Sequence, residues 1–314
     1  MPQMPATTDA LTPIQIAEAL LTAVDGDDCI AWVGSGLSKP LYGDWPQAVA
    51  ELCRECAVPP FDASISKPDA NQLINKAEEC KTANRAMYEA TLARVYGRQD
   101  NITRRAYQML MKAPFKAYVT TNIDPLLSDA GALEGLLHVH CYPDLLPPEI
   151  ERCRKPLFYM HGHARPGGIP TGRNLVFARS EFDEAYGPSG AVRLFVQNLL
   201  AYYPIVFIGC KLSEPEIYQQ FRLVHEMLTR IQDATGVTSP PQRFLLAETI
   251  ISGGRRDDGA EEIEERRLKE LSVRVLRYDP IDREKHWEIE EALGRLCLMT
   301  SRVTVGAPGE AAPK

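Results

Sequence analysis

Short apolar runs separate stretches of helical spacing along this chain. Six runs have the length and composition of buried strands: 29–33, 116–120, 157–160, 205–208, 243–247 and 273–278. A further short strand is predicted at 175–178. Apolar residues at helical spacing predict helices over about 12–24, 45–56, 101–112, 189–202, 214–231 and 286–301. Strands that alternate with helices predict the α/β class, here a Rossmann-like parallel sheet with helices on both faces and a helical insertion.

The helical insertion lies between the first two strands, at about 58–114. Its central part, 68–97, is polar with apolar residues at helical spacing, which is typical of a helical layer. We predict one domain over 12–304, with flexible tails at 1–11 and 305–314. The Pro-rich stretch 141–156 is expected to be irregular.

Charge and hydropathy narrow the possible partners. The formal net charge of −7 disfavours direct nucleic-acid binding, which needs a basic surface. No apolar run approaches the ~18–20 residues that span a bilayer. The first ten residues lack the pattern of a signal peptide. We therefore expect a cytoplasmic protein with no membrane partner.

Cysteine and histidine spacing gives no recognisable metal motif. Cys53 and Cys56 form one C-x-x-C on a predicted helix, with no second pair at zinc-ribbon spacing. His138, His140 and Cys141 lie close together in the sequence, but no carboxylate or further cysteine completes a known ligand spacing. We predict reduced structural thiols and no metal site.

The strongest functional signal is a cluster of small and polar residues at the end of each of four predicted strands. The clusters are Gly34-Ser35-Gly36-Leu37-Ser38, Thr120-Thr121-Asn122-Ile123-Asp124, Met160-His161-Gly162 and Gly209-Cys210-Lys211-Leu212-Ser213. Carboxyl ends of parallel strands meet at one edge of the sheet, where such folds bind ligands. The four clusters therefore predict a nucleotide pocket.

Each cluster also has a purely structural interpretation. Residues 34–38 could be a tight strand-to-helix turn, Asp124 and Ser213 could cap helices, and His161 could be a satisfied structural histidine. The functional interpretation assigns backbone N–H groups of the small-residue loops to phosphates. It assigns Asn122 to a ribose hydroxyl, a carboxamide or a water, and His161 to proton transfer near neutrality.

As a set, these clusters resemble the motifs of the sirtuin-like superfamily over roughly residues 28–278. Deacylases of that superfamily carry two C-x-x-C pairs after the active-site histidine, which hold a structural zinc ion. Here only Cys210 and Cys297 follow His161. Trp45, the Ser-Glu-Pro turn at 213–215 and the helical insertion instead resemble the zinc-less sirtuin-like effectors of bacterial anti-phage defence, which hydrolyse NAD.

The resemblance implies a set of roles that the structure can be compared with. NAD would be the substrate, zinc would be absent, and Asn122 and His161 would be catalytic. The residues implied in NAD binding are Gly34, Ser35, Gly36, Ser38, Thr121, Asp124, Gly209, Cys210, Lys211 and Ser213. A toxic NAD hydrolase needs a gate, so we expect a homo-oligomer or a partner such as an ATPase or a nuclease. An NAD-dependent protein deacylase and a non-catalytic module that binds NAD or ADP-ribose are the alternatives.

Overall fold

The computed structural model describes residues 10–24, 28–39, 41–62, 65, 67–97, 105–136, 138–164, 175–236, 241–281 and 286–305. Its strands are β1 Ile30–Val33, β2 Ala117–Thr120, β3 Val139–Cys141, β4 Leu157–Tyr159, β5 Ile205–Ile208, β6 Arg243–Glu248, β7 Ile251–Ser252, β8 Arg255–Arg256 and β9 Val273–Tyr278. Its α-helices are α1 Pro13–Val24, α2 Trp45–Glu55, α3 Ala70–Ala83, α4 Arg85–Tyr96, α5 Arg105–Lys112, α6 Leu126–Leu133, α7 Glu149–Arg152, α8 Arg179–Tyr186, α9 Ala191–Tyr202, α10 Pro215–Thr235, α11 Asp258–Lys269 and α12 Trp287–Val305.

Seven of these strands form one parallel sheet in the order β3-β4-β2-β1-β5-β6-β9. After β1 the chain adds β2, β3 and β4 on one side, with β4 between β2 and β3, and then adds β5 on the other side of β1. This reversal is a topological switch point, where open α/β sheets bind their ligands. The predicted α/β fold is confirmed.

The sheet is buried on both faces because alternate residues of each strand point to opposite sides. Ala31 and Val33 pack with helices α1, α5, α6 and α12 on one face. Ile30 and Trp32 pack on the other face with helices α8, α9 and α10. Burial on both faces requires continuous apolar runs, which explains why these strands are recognisable in the sequence.

The described residues of the predicted insertion include three helices, which pack in two places. Helices α3 and α4 pack on α2 and form an apolar cluster of their own, which includes Leu52, Leu73 and Leu92. Helices α2 and α3 each begin with a capping box, which Asp44 and Asp69 form with a Gln three residues later. Helix α5 packs instead with α12 and α6 against the sheet.

Three local predictions differ from the structure. The strand predicted at 175–178 is wrong, since these residues are described outside any strand. The stretch 141–156, predicted as irregular, includes the end of β3 and the short helix α7. Helix α8 was not predicted, and it carries side chains that contact His161.

Candidate functional site

Four neighbouring strands end at equivalent positions, and one of the four clusters lies at each of these ends. Tyr159, Thr120, Val33 and Ile208 lie side by side across β4, β2, β1 and β5, as the strand register shows. We call these four residues the strand-end row. Each cluster continues directly beyond one of them, so all four leave the sheet along the same edge.

The register of β2 and β4 also determines where Asn122 and His161 lie. Each lies two residues beyond a row position, Asn122 after Thr120 and His161 after Tyr159. Neighbouring strands are about 4.8 Å apart, so the two backbones leave the sheet as close neighbours. Their loops remain joined, because the N–H of Ala164 donates to the carbonyl oxygen of Ile123 over 2.7 Å.

The loop 34–38 and the turn 209–213 pack backbone against backbone. The N–H of Gly36 donates to the carbonyl oxygen of Gly209 over 2.9 Å. A Cβ on Gly34 would lie 2.6 Å from that same oxygen, closer than real Cβ atoms approach. Gly209 itself has a φ of +67°, in the left-handed region that favours glycine. The small residues of these two clusters are therefore required by their mutual contact, whether or not a ligand is bound.

Ser38 connects the first cluster to the second through a buried hydrogen-bond network. Its hydroxyl donates to Oδ2 of Asp124 over 2.8 Å, and it accepts from Nδ2 of Asn122 over 3.0 Å. The hydroxyl of Tyr107 lies 2.9 Å from the same oxygen. Because the Ser38 hydroxyl has one proton, which goes to Asp124, Tyr107 acts as a donor. The network fixes the Asn122 amide.

Asp124 is a buried acid immediately before α6. Its Oδ1 accepts the N–H of Leu126 over 3.1 Å, but the N-cap position of α6 is Pro125, so Asp124 is not the predicted helix cap. Burial raises the pKa of Asp124 to about 6, and the hydrogen bond from Ser38 opposes this shift. The same side chain therefore joins the start of α6 to the polar network.

His161 lies in an aromatic pocket formed by α8. Its ring contacts Phe182 and Tyr186 edge-on, with ring centroids 5.2 and 5.8 Å away. Nε2 of the imidazole is 2.8 Å from the hydroxyl of Tyr186. Burial lowers the pKa of His161 to about 3, so the ring is neutral at physiological pH.

The remaining predicted residues divide between surface and interior. Ser35, Lys211 and Ser213 are exposed, Thr121 is half-buried, and the Cys210 thiol lies 3.4 Å from the carbonyl oxygen of Trp32. Burial raises the pKa of the Cys210 thiol, which keeps it protonated. Ser213 does not cap α10, because Glu214 occupies the N-cap position and makes no side-chain capping bond.

Sequence reasoning missed the groups that surround His161. Phe182 and Tyr186 belong to the unpredicted helix α8, although their spacing of four residues is a helical signal. The sequence predicts Glu214 only as part of the Ser-Glu-Pro turn and the start of a helix. Its Oε2 is buried and has no hydrogen-bond partner among the described residues, and burial raises the pKa of Glu214 to about 7. Burial raises the pKa of Tyr186, and the charge of Glu214 adds to this shift.

This edge of the sheet combines backbone N–H groups of two small-residue loops with a fixed amide and a neutral imidazole. Such groups suit a polar ligand that carries both anionic and hydroxyl groups. Among the described helices, none has the length and apolar character to cross a bilayer.

Comparisons with known proteins give the family. A solved structure described as "Structural Basis for the Mechanism and Regulation of Sir2 Enzymes" is similar with a TM-score of 0.43 and 10% identity, over 93% of this chain and 98% of that chain. No curated protein matches. The family model for a SIR2-like domain matches residues 116–276, slightly more than half of the chain. The protein therefore belongs to the SIR2-like domain family.

Proposed function

We propose that this protein is an NAD glycohydrolase, which cleaves the bond between nicotinamide and ribose to give nicotinamide and ADP-ribose. The observation that carries this proposal is the register of β2 and β4, which sets Asn122 and His161 at equivalent positions beyond neighbouring strands. The motif resemblance assigns these two residues to the chemistry. Both residues lie at the edge of the sheet formed by the carboxyl ends of its strands, where open α/β sheets bind ligands, and this supports the assignment.

The small-residue loops would hold the pyrophosphate of NAD. The loop 34–38 and the turn 209–213 face each other at the switch point, and Ser35, Lys211 and Ser213 are exposed there. Backbone N–H groups, hydroxyls and a lysine ammonium are suitable partners for phosphate oxygens. A dinucleotide bound this way would extend toward the ends of β2 and β4.

Asn122 would orient the attacking water or a ribose hydroxyl. Its Nδ2 is committed to Ser38, so the direction of the amide is set by a network that Asp124 and Tyr107 complete. The amide oxygen then offers an acceptor at a fixed position. Positioning of this kind lowers the barrier because the reacting groups are ordered before the reaction.

His161 would accept the proton of the attacking water. Nicotinamide leaves a cationic ring as a neutral molecule, so the leaving group needs no acid. The water oxygen forms a bond to the ribose C1′ carbon, the glycosidic C–N bond breaks with its electrons going to nicotinamide, and the water proton passes to the imidazole and then to solvent.

The environment of His161 sets two conditions for this role. Nε2 must donate to Tyr186, which leaves Nδ1, without a partner among the described residues, as the acceptor. The pKa of about 3 must also rise when substrate binds, and the negative pyrophosphate of NAD acts in that direction.

The resemblance extends the proposal to a role as the toxic effector of an anti-phage defence system. An NAD hydrolase that is always active would harm its own cell, so activity would depend on oligomerisation or on a partner such as an ATPase or a nuclease. The helical insert over 64–112 and the terminal helix over 286–301 are the proposed contact surfaces. Mass measurement of the chain alone and with a candidate partner tests this part.

Incubation of the purified chain with NAD, with and without an acetylated peptide, tests the proposed activity. Free nicotinamide without peptide supports the glycohydrolase. Nicotinamide released only with peptide indicates a deacylase, and binding without turnover indicates a sensor module.

Asn122→Ala and His161→Ala should each lower hydrolysis by about 10²–10⁴-fold with folding intact. His138→Ala, at an exposed histidine before β3, is the matched control and should keep full activity. Normal turnover by either site variant contradicts the proposal.

A further inference from the structure

Three side chains that could bind a metal meet where the edge strand β3 faces helix α7. His140 lies in the middle of β3, Glu149 begins α7, and Cys153 follows its last residue. Each offers one ligand atom, and these atoms all lie within 4.8 Å of one another. We call these residues the β3–α7 triad.

Local structure holds the triad together. Glu149 and Cys153 are four residues apart on a helical turn, and the Cys153 N–H donates to the carbonyl oxygen of Glu149 over 3.0 Å. The Cys153 thiol lies 3.3 Å from Oε2 of Glu149, while Arg152 binds the other carboxylate oxygen. One carboxylate oxygen of Glu149 therefore contacts Arg152, and the other faces Cys153 in the triad.

The third member of the triad has an unused nitrogen. The His140 ring stacks on Phe158, with ring centroids 4.9 Å apart and planes 18° apart, which sets the orientation of the ring. Its Nε2 atom is buried and has no hydrogen-bond partner among the described residues. A buried polar atom without a partner is destabilising. Coordination of a metal ion at this nitrogen would give it a partner and fix the tautomer of the ring.

The geometry points to a binding site for a divalent transition-metal ion, with zinc as the best match, formed by His140, Glu149 and Cys153. Zinc prefers this combination of nitrogen, sulfur and oxygen ligands, whereas magnesium and calcium require oxygen ligands. Zinc–ligand bonds of about 2.0–2.3 Å place tetrahedral ligand atoms about 3.3–3.8 Å apart, within reach of small side-chain rotations. The thiol proton of Cys153 leaves to solvent as the thiolate–metal bond forms, and water completes the fourth position.

The position of the site indicates a structural role. Tyr142 and Leu145, between β3 and α7, belong with Ile150 of α7 to the same apolar cluster as Phe182 and Tyr186 of α8. An ion held by both ends of this segment would fix it against α8. The inference does not depend on NAD hydrolysis, and its tests measure metal content and stability.

The experiment uses the full chain with any affinity tag removed, saturated with Zn²⁺ and then desalted. Elemental analysis should find about one zinc ion per chain, and Cys153→Ser and His140→Ala should each reduce this to about one tenth or less. Cys297→Ser and His138→Ala are the matched controls and should retain the metal. A chelator should lower the melting temperature of the wild type and leave that of Cys153→Ser unchanged.

Cobalt substitution of the wild type tests the thiolate bond directly and needs no variant to fold. The wild type loaded with Co²⁺ should show a thiolate-to-cobalt charge-transfer band in the near ultraviolet. In a separate measurement, Glu149→Gln, which keeps the thiol, should weaken metal binding. Absence of that band in the wild type, loss of Zn²⁺ on desalting, or full zinc retention by Cys153→Ser would each overturn the inference.

Discussion

The buried carboxyl of Asp124 should make the stability of this protein depend on pH in a way that one substitution removes. Asp124 accepts hydrogen bonds from Ser38 and from the backbone of Leu126, and 3% of its surface is exposed. Asp124→Asn keeps the side-chain shape and an acceptor for the Leu126 N–H, but it cannot ionise. The variant therefore isolates the titration of this one group.

The magnitude follows from the difference between the folded and unfolded pKa. Burial raises the pKa of Asp124 from 3.8 to about 6. Because the folded state binds the proton more tightly, the added stability is fully present below about pH 4 and is lost as the pH rises through about 6. Between about pH 5 and about pH 8 the loss amounts to about 1.4 kcal/mol.

Urea unfolding of the wild type and of Asp124→Asn, followed by tryptophan fluorescence at about pH 5 and about pH 8, measures this term. The wild type should gain about 1.4 kcal/mol relative to the variant at the lower pH. Other titrating groups, including Glu214, are common to both proteins and cancel in the difference. Ser38→Ala removes a hydrogen bond that lowers the Asp124 pKa, so it should move the transition to higher pH. If the difference in unfolding free energy between the wild type and Asp124→Asn does not change with pH, or changes in the opposite direction, the raised pKa of Asp124 is wrong.

Two further predictions concern the loop contact and the histidine pocket. Gly34→Ala should destabilise the protein by about 1–3 kcal/mol in urea unfolding, because the new Cβ would lie 2.6 Å from a backbone oxygen. Gly259→Ala in α11, where the nearest atom is 3.7 Å away, should be neutral or stabilising by up to about 1 kcal/mol, and equal losses in both would contradict this account. Tyr186→Phe should lower kcat for NAD hydrolysis by about 10-fold with little change in KM, because His161 loses the partner that sets its tautomer. Tyr203→Phe, which removes a hydroxyl bonded to a surface glutamate, is the control, and equal kcat values for the two variants would contradict the role of the Tyr186 hydroxyl.

Most of the sheet could be predicted because its central strands are buried on both faces. Continuous apolar runs such as 30–33 and 205–208 are short and rich in β-branched and aromatic residues, which favours a buried strand over a helix. The strand β3 was missed because it has three residues, all half-buried, at the edge of the sheet. The strand predicted at 175–178 is wrong because its apolar residues are buried against α2 and α4 and do not join the sheet.

The environment of the site depends on contacts between distant segments. Ser38 meets Tyr107 across 69 residues, and His161 meets Tyr186 across 25. No local pattern predicts either pair, because each depends on how a helix docks on the sheet. The pKa values of Asp124 and His161 likewise depend on burial by elements elsewhere in the chain.

The α/β class, the central strands and the four clusters that follow them can be predicted from the chain alone, because strand burial and chain reversal leave local signals in residue type and spacing. The folded structure is needed to show which side chains meet. It placed Asn122 in a network with Ser38 and Asp124, placed His161 against α8, and brought His140 to Glu149 and Cys153. The physical reason is that strand register and helix docking are set by the packing of the whole core, which no single segment encodes.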